Sequence, residues 1–342
     1  MKNLKKLSVI ALALVLSLCC LCGCVNAETG DNSSNPSSGE AHVCKHVCET
    51  CGKCTDKTCT QEACKDKCNG HTAAEKTYSL KVMSFNLDQN NGSNGAMNKK
   101  VYDKIIEELP DLLGVQEETP AWKTYLESAL QPEGYERVGE FRSTSPSQAY
   151  YDYREASAIY YNVDRFALEE KGTFWLSDTP NVEGSVAKSW SDKALFPRVC
   201  TYVVVKDKKS NKKFAYFNTH FSYEDAALRK KSAELILKKI EEKGVTAFFS
   251  GDLNFASNEE TDTYNTITAK MDDSRTVAAE TMSGNTFHAY GYGPGELASD
   301  GDVTKTVPID YIFSTKSALT VASFRILKVE GRKNVPEDYY SD

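Results

Sequence analysis

Beyond residue 21 the sequence has no apolar run long enough to cross a bilayer, and from Tyr78 onward it has no internal repeat. It also lacks an excess of positive charge: 41 Lys and Arg stand against 48 Asp and Glu, a formal net charge of −7. Non-specific duplex binding leans on Lys and Arg neutralising phosphates, so nucleic acid is a possible but unfavoured partner. A third shortage is local. Between His42 and His71 apolar side chains almost vanish apart from Val43 and Val47, so about thirty residues there cannot fold by burial alone.

What fills the N-terminal part is targeting sequence and cysteine. Lys2, Lys5 and Lys6 precede the apolar stretch Leu7 to Leu21, too short for a comfortable span and typical of a secretory leader. Leu21-Cys22-Gly23-Cys24 resembles a bacterial lipobox. Residues 1–23 are therefore expected to be a lipoprotein signal peptide and Cys24 the lipidated first residue. That places the protein outside the cell, anchored to the outer face of the cytoplasmic membrane. The alternative is cleavage after Val25-Asn26-Ala27 and secretion. Residues 24–41, rich in Ser, Asn and Gly, read as a flexible tether.

Residues 42–71 hold Cys44, Cys48, Cys51, Cys54, Cys59, Cys64 and Cys68, with His42, His46 and His71. Cys51-Gly52-Lys53-Cys54 has knuckle spacing, and Cys68 with His71 repeats it, as in small zinc modules. A Zn²⁺ module is the expectation. A disulfide-stapled spacer is the alternative natural to an exported chain; seven cysteines would leave one over or recruit Cys200.

From Tyr78 the pattern changes to short apolar strands that each end in a polar side chain. Lys81 to Phe85 runs into Asn86, Asp111 to Gln116 into Glu117, and Phe214 to Thr219 into His220. Val245 to Gly251 runs into Asp252 with Asn254 two residues on, and Val307-Pro308-Ile309 into Asp310. Five such endings suggest strand tips gathered at one rim, where rigid elements support a site. Three of the tips are carboxylates, which repel unless a cation lies among them. The pattern points to metal-assisted chemistry on a phosphate ester.

Helical spacing marks Lys99 to Leu109, Pro120 to Leu130 with Thr119 as cap, Glu224 to Glu242 stopped by Gly244, and a weaker Glu259 to Lys270. In the third of these Ala226, Leu228, Ala233, Ile236, Leu237 and Ile240 are expected to face inward. Ala156 to Tyr161 and Phe166 to Lys171 read as paired strands, and Cys200 to Lys206 with Phe214 to Thr219 as a hairpin. Hairpins mixed with helices fit two sheets covered by helices.

Taken in order, Asn86, Gln116-Glu117, Asn218-Thr219-His220, Gly251-Asp252-Leu253-Asn254 and Ile309-Asp310-Tyr311-Ile312 resemble the endonuclease/exonuclease/phosphatase superfamily, the DNase I-like fold. Phe174 to Pro180, followed by Pro197-Arg198, is similar to an exported bacterial branch of it. The resemblance covers residues 78–342. It implies a four-layer α/β sandwich of two mainly antiparallel sheets flanked by helices. It also implies a Mg²⁺ or Mn²⁺ ion held by Glu117 with help from Asn86. Asp252 would orient or deprotonate the attacking water, and Asn254 would position the phosphate. His220 would donate to a phosphate oxygen or assist the leaving group, with Glu155 fixing its ring, and Asp310 would orient a second histidine. Asp273 resembles another polar rim position, while Arg229 and His288 read as a solvated helix face and a loop.

The superfamily closes its catalytic set with Ser-Asp-His and a last strand, whereas this sequence ends at Ser341-Asp342. The expectation is a domain lacking its C-terminal end, with reduced activity in the chain as given. The expected function is an exported metal-dependent phosphoesterase, monomeric, acting on a phosphodiester or phosphomonoester. An extracellular nuclease is one alternative. A catalytically impaired surface-binding protein with a metal-binding module is the other.

Overall fold

A strand turns successive side chains to opposite faces, and here both faces of two sheets find a covering layer. The computed structural model describes residues 53–54, 78–143, 154–281, 286 and 308–327. The chain divides into units Met1–Lys76 and Thr77–Asp342. In the first unit Cys54 is described, and it is buried. The leader, Cys24, the tether, Cys44, Cys48, Cys51, Cys59, Cys64, Cys68 and His71 lie outside the described residues, as does His288.

The strands of the second unit are β1 (Val82–Asn86), β2 (Leu112–Glu118), β3 (Tyr135–Val138), β4 (Ala156–Asn162), β5 (Phe166–Trp175) and β6 (Val199–Asp207). They continue with β7 (Lys213–His220), β8 (Thr246–Asp252), β9 (Met271–Asp273), β10 (Glu280–Thr281), β11 (Asp310–Thr315) and β12 (Ser323–Phe324). The helices are α1 (Gly95–Glu108), α2 (Pro120–Leu130), α3 (Ala226–Lys243), α4 (Thr261–Thr268) and α5 (Ser274–Val277). Among the described residues the first sheet has the order β1-β2-β4-β3 and the second β5-β6-β7-β8-β11-β9, with β10 and β12 pairing separately. Each main sheet holds one parallel pair, β1 with β2 and β7 with β8, and is otherwise antiparallel. Parallel neighbours need a crossover, which α1 and α3 supply. No helix among the described residues is long and apolar enough to cross a membrane.

The layers follow from the alternation. Leu113, Val115, Ala158 and Tyr160 pack outward against Val101 and Ile105 of α1 and Trp122, Leu126 and Leu130 of α2. Ala215, Phe217, Ala247, Phe249 and Phe313 pack against Ala233, Ile236 and Ile240 of α3 and Ile267 of α4. Between the sheets lie Leu112, Ile159, Tyr161, Val203, Val205, Phe214, Tyr216 and Phe248. The result is the expected helix, sheet, sheet, helix sandwich of the DNase I type.

Boundaries moved where capping chemistry decided them. The α1 helix begins at Gly95, not Lys99, because the Asn94 side chain accepts from Met97 N–H. Thr119 and Pro120 start α2 as expected, and Gly244 ends α3 in the left-handed region at φ 63°. Ala226 is exposed in the first turn of α3 instead of facing inward, because Asp225 caps the helix there. Strands β4 and β5, expected to pair with each other, fall in different sheets: β4 lies between β2 and β3, while β5 pairs with β6. That pairing continues down to Val199, so β5 runs on to Trp175, four residues past its expected end.

Candidate active site

Read along the inner faces, the space between the sheets changes from apolar to polar to ionisable. Beyond the apolar layer, Ser84, Gln116, Asn218 and Ser250 occupy the same facing positions. Gln116 Nε2 donates to Asn218 Oδ1 at 2.7 Å and to Ser84 Oγ at 3.2 Å. Asn218 Nδ2 donates to the carbonyls of Val115 and Ala158, both at 2.8 Å, fastening one sheet to the other. The approach is close because Gly114 has no side chain: a Cβ there would lie 2.4 Å from Tyr216 Oη and 2.5 Å from Asn218 Oδ1. One step further along the same faces stand Asn86, His220 and Asp252. Period-two alternation thus delivers the candidate residues to one mouth.

Glu117 reaches this mouth by breaking the alternation. The β2–β4 pairing shifts register between Val115 and Glu118, and Glu117 sits at φ 58°. A bulge of this kind exchanges the two faces of the residues that follow it. Glu118 therefore turns into the helix-covered side, where Arg137 Nε donates to it at 2.9 Å and Tyr160 Oη at 2.7 Å. Glu117 turns to the site. Its Oε1 accepts from Asn86 Nδ2 at 3.2 Å and its Oε2 from the Gln89 N–H at 2.9 Å.

Asn86 is a bridge. The same Nδ2 donates to Asp252 Oδ2 at 3.1 Å, while Asn86 Oδ1 accepts from the Asp88 N–H. Asp252 Oδ1 accepts from the backbone N–H of Asn254 at 2.9 Å. Asn254 holds φ 53°, and its side chain donates to the Phe221 carbonyl at 3.0 Å. Asp310 pairs with Asp252 across the β8–β11 ladder. Burial, and then the charge of Glu117, push Asp252 up to about 6. Burial and the charge of Asp252 raise Asp310 well above the ordinary carboxylate range.

His220 is buried, with Nε2 3.8 Å from Asp252 Oδ2. Its Nδ1 lies 3.3 Å from Arg142 Nη2. A guanidinium can only donate, so Nδ1 is the acceptor and Nε2 carries the proton. Burial, then the charges of Arg198 and Arg142, lower the His220 pKa well below 6.5, so the ring is neutral at pH 7. Glu155 stands 4.0 Å from Nδ1, outside hydrogen-bond reach, and pairs with Arg142 at 2.8 Å. The expected His220–Glu155 pair is thus relayed through Arg142.

Asn86, Glu117, His220, Asp252, Asn254 and Asp310 therefore come together, and Glu155 joins them at one remove. Asp273 is buried elsewhere in the sheet, where it accepts from Tyr264 Oη and caps α5. Arg229 is engaged by Glu260 at 2.8 Å. Arg142 and Arg198 were not singled out as site residues from the sequence. Arg142 flanks a region without strand pattern, and Arg198 stood only as half of a Pro-Arg pair.

The donor set fits a hard divalent cation. Three carboxylates gathered at one mouth repel one another and are relieved by positive charge, and their oxygens suit Mg²⁺ or Mn²⁺. Among the described residues no three His, Cys, Asp or Glu side chains form a complete ligand cluster. Mg²⁺ needs no such cage, because it keeps waters and takes substrate phosphate oxygens alongside one or two carboxylates.

Residues 83–342 match the Endonuclease/Exonuclease/phosphatase family. An endonuclease/exonuclease/phosphatase structure from Bacteroides vulgatus is 27% identical with TM-score 0.64, over 77% of this chain and 95% of that one. A Bacteroides thetaiotaomicron family protein is 26% identical with TM-score 0.59, over 72% and 87%. The mannosyl-6-phosphatase of Bacteroides thetaiotaomicron is 26% identical with TM-score 0.57, over 70% and 86%. No curated protein matches the sequence.

Proposed function

The chain belongs to the endonuclease/exonuclease/phosphatase family, and from that premise we propose that it is an exported Mg²⁺- or Mn²⁺-dependent phosphoesterase of small phosphate esters. The observation that carries this reading is the meeting of Asn86, Glu117, His220 and Asp252, with Asp310 beside them, at one end of the space between the sheets.

Glu117 would hold the cation, with Asn86 and the Gln89 N–H fixing its two oxygens. When bound, the cation polarises the phosphoryl group and offsets the charge that develops on it. Asp252 takes the proton of the attacking water, and a pKa near the working pH suits a general base. The Asn254 N–H keeps the Asp252 carboxylate aimed. His220, neutral and with Nε2–H turned to the mouth, donates to a non-bridging phosphate oxygen. Arg142 and Glu155 hold its ring in the tautomer that leaves this proton in place. Asp310 supplies a third carboxylate to the same field.

Small esters are favoured over polymeric nucleic acid by the acidic balance of the chain and by its likeness to a mannosyl-6-phosphatase. The leader and Cys24 support a lipid anchor on the outer face of the cytoplasmic membrane, and residues 42–71 a Zn²⁺-binding module between anchor and enzyme. Hydrolysis of p-nitrophenyl phosphate and bis(p-nitrophenyl) phosphate, with and without Mg²⁺ or Mn²⁺, tests the enzyme reading. Cation-dependent turnover lost in Asp252→Asn is expected. No turnover of either ester with either cation would sink the reading, and efficient plasmid nicking would move it to a nuclease.

A further inference from the structure

Among the described residues, Arg198 brings a buried guanidinium with two unpartnered nitrogens to the neighbourhood of the candidate site. It directly precedes β6, with its carbonyl held by the Leu176 N–H at 2.8 Å. The residue is 6% exposed, and its Nε and Nη1 are buried with no hydrogen-bond partner. The Tyr223 ring lies over the guanidinium, 5.7 Å from centroid to Cζ. Arg142, the other buried arginine here, is paired with Glu155. Each charged donor left unsatisfied away from water carries a desolvation cost. Such a group persists where a ligand of opposite charge supplies the missing acceptors.

Its position indicates which ligand atoms. The next residue, Val199, accepts from Thr219 Oγ1 at 2.8 Å, so Arg198 stands where the start of β6 meets the His220 end of β7, and its positive charge is felt by both His220 and Asp252. A phosphomonoester is close to doubly charged at neutral pH, since its second pKa is about 6, and it presents three non-bridging oxygens. A phosphodiester presents two, and its second ester arm must occupy the remaining direction. With a cation held at Glu117, the site would present three electropositive groups: that cation, His220 Nε2–H and Arg198.

We propose that Arg198, screened by Tyr223, reads the third non-bridging oxygen and makes the substrate a phosphomonoester. This rests on the phosphoesterase reading above and narrows it to one substrate class. The fork of Nε and Nη suits bidentate contact with a phosphate, which an ammonium group cannot reproduce.

The test compares Arg198→Met and Arg198→Lys with the full chain in Mg²⁺, on p-nitrophenyl phosphate and bis(p-nitrophenyl) phosphate. In parallel, calorimetry measures binding of inorganic phosphate. For Arg198→Met, kcat/KM on the monoester is expected to fall about 100-fold, as when an oxyanion donor is removed, with a far smaller loss on the diester. Arg198→Lys is expected to fall between, because it keeps the charge and loses the fork. Phosphate affinity should weaken in the same order. Equal losses on both esters, or unchanged phosphate binding, overturn the proposal. Should Arg198→Met not fold, Arg198→Lys decides by the same two readouts. If the unsubstituted chain turns over neither ester, the phosphoesterase reading fails, and phosphate calorimetry alone still decides whether Arg198 binds the anion.

Discussion

Asp252 and Asp310 stand directly opposite one another, the last residue of β8 against the first of β11. Like charges in that cross-strand position destabilise a sheet. Glu117 adds a third carboxylate, and its charge raises the pKa of both. The strand ends thus hold an electrostatic cost in place, which a bound cation relieves.

Asp252→Asn should therefore stabilise the cation-free protein while abolishing activity. The folded-state pKa of Asp252, about 6, lies above the unfolded value of about 3.9. Its contribution is thus intact below about pH 3.9 and is lost as pH rises through about 6. Against a lost hydrogen bond from Asn86, the net gain at pH 7.5 should be on the order of 1–2 kcal/mol. Thermal unfolding without divalent ions measures it. Mg²⁺ should raise the midpoint of the unsubstituted chain more than that of the variant, and a lower midpoint for the variant would contradict the account.

The two neighbouring glutamates should separate cleanly. Glu118→Gln breaks a buried pair with Arg137 and should cost about 3–5 kcal/mol in chemical denaturation. Glu117→Gln should leave stability nearly unchanged or higher and remove cation-dependent turnover. Equal stability losses in the two variants would mean that the bulge does not divide their roles.

Arg142→Met should move the histidine. With the guanidinium gone, Glu155 is left 4.0 Å from His220 Nδ1 without its cation. An adjacent carboxylate favours the imidazolium, so the His220 pKa should climb from its depressed value. NMR titration of the ring protons reads this directly, and kcat/KM should drop about 10–100-fold, the usual scale for losing a ring-orienting partner. An unmoved titration would place Arg142 outside the relay.

The pH–rate profile follows from the same groups. Asp252 must be ionised to take a proton, so kcat/KM should fall as pH drops through about 6. Saturating cation should shift that limb to lower pH, because positive charge favours the carboxylate. His220 is neutral throughout and donates from Nε2, so it adds no descending limb between about pH 6.5 and 8. A bell centred below pH 7 would instead make His220 a charged acid.

Gly251→Ala should disable both fold and site. Gly251 sits at φ 152°, and a Cβ there would lie 1.9 Å from the Thr219 carbonyl oxygen. The β7–β8 ladder that aligns His220 with Asp252 would have to open. A loss above about 4 kcal/mol is expected, the range that marks a severe backbone clash, and chemical denaturation would show it.

The sequence by itself determined the layers and most of the site. Short continuous apolar runs in Leu112 to Val115, Phe214 to Phe217 and Ala247 to Phe249, with helical spacing around Val101 to Ile105, call for strands covered on both faces and leave few other ways to bury those side chains. Strand ends that turn polar at Asn86, His220, Asp252 and Asp310 mark the mouth, because a side chain's face is set by local backbone period. Only the tertiary structure decided that a bulge sends Glu117 one way and Glu118 the other, since a register shift depends on the partner strand. It also decided that Arg142 stands between Glu155 and His220, and that Arg198 keeps Nε and Nη1 without a partner. Those relations join residues far apart in the chain, and no local pattern records which buried charge has found its partner.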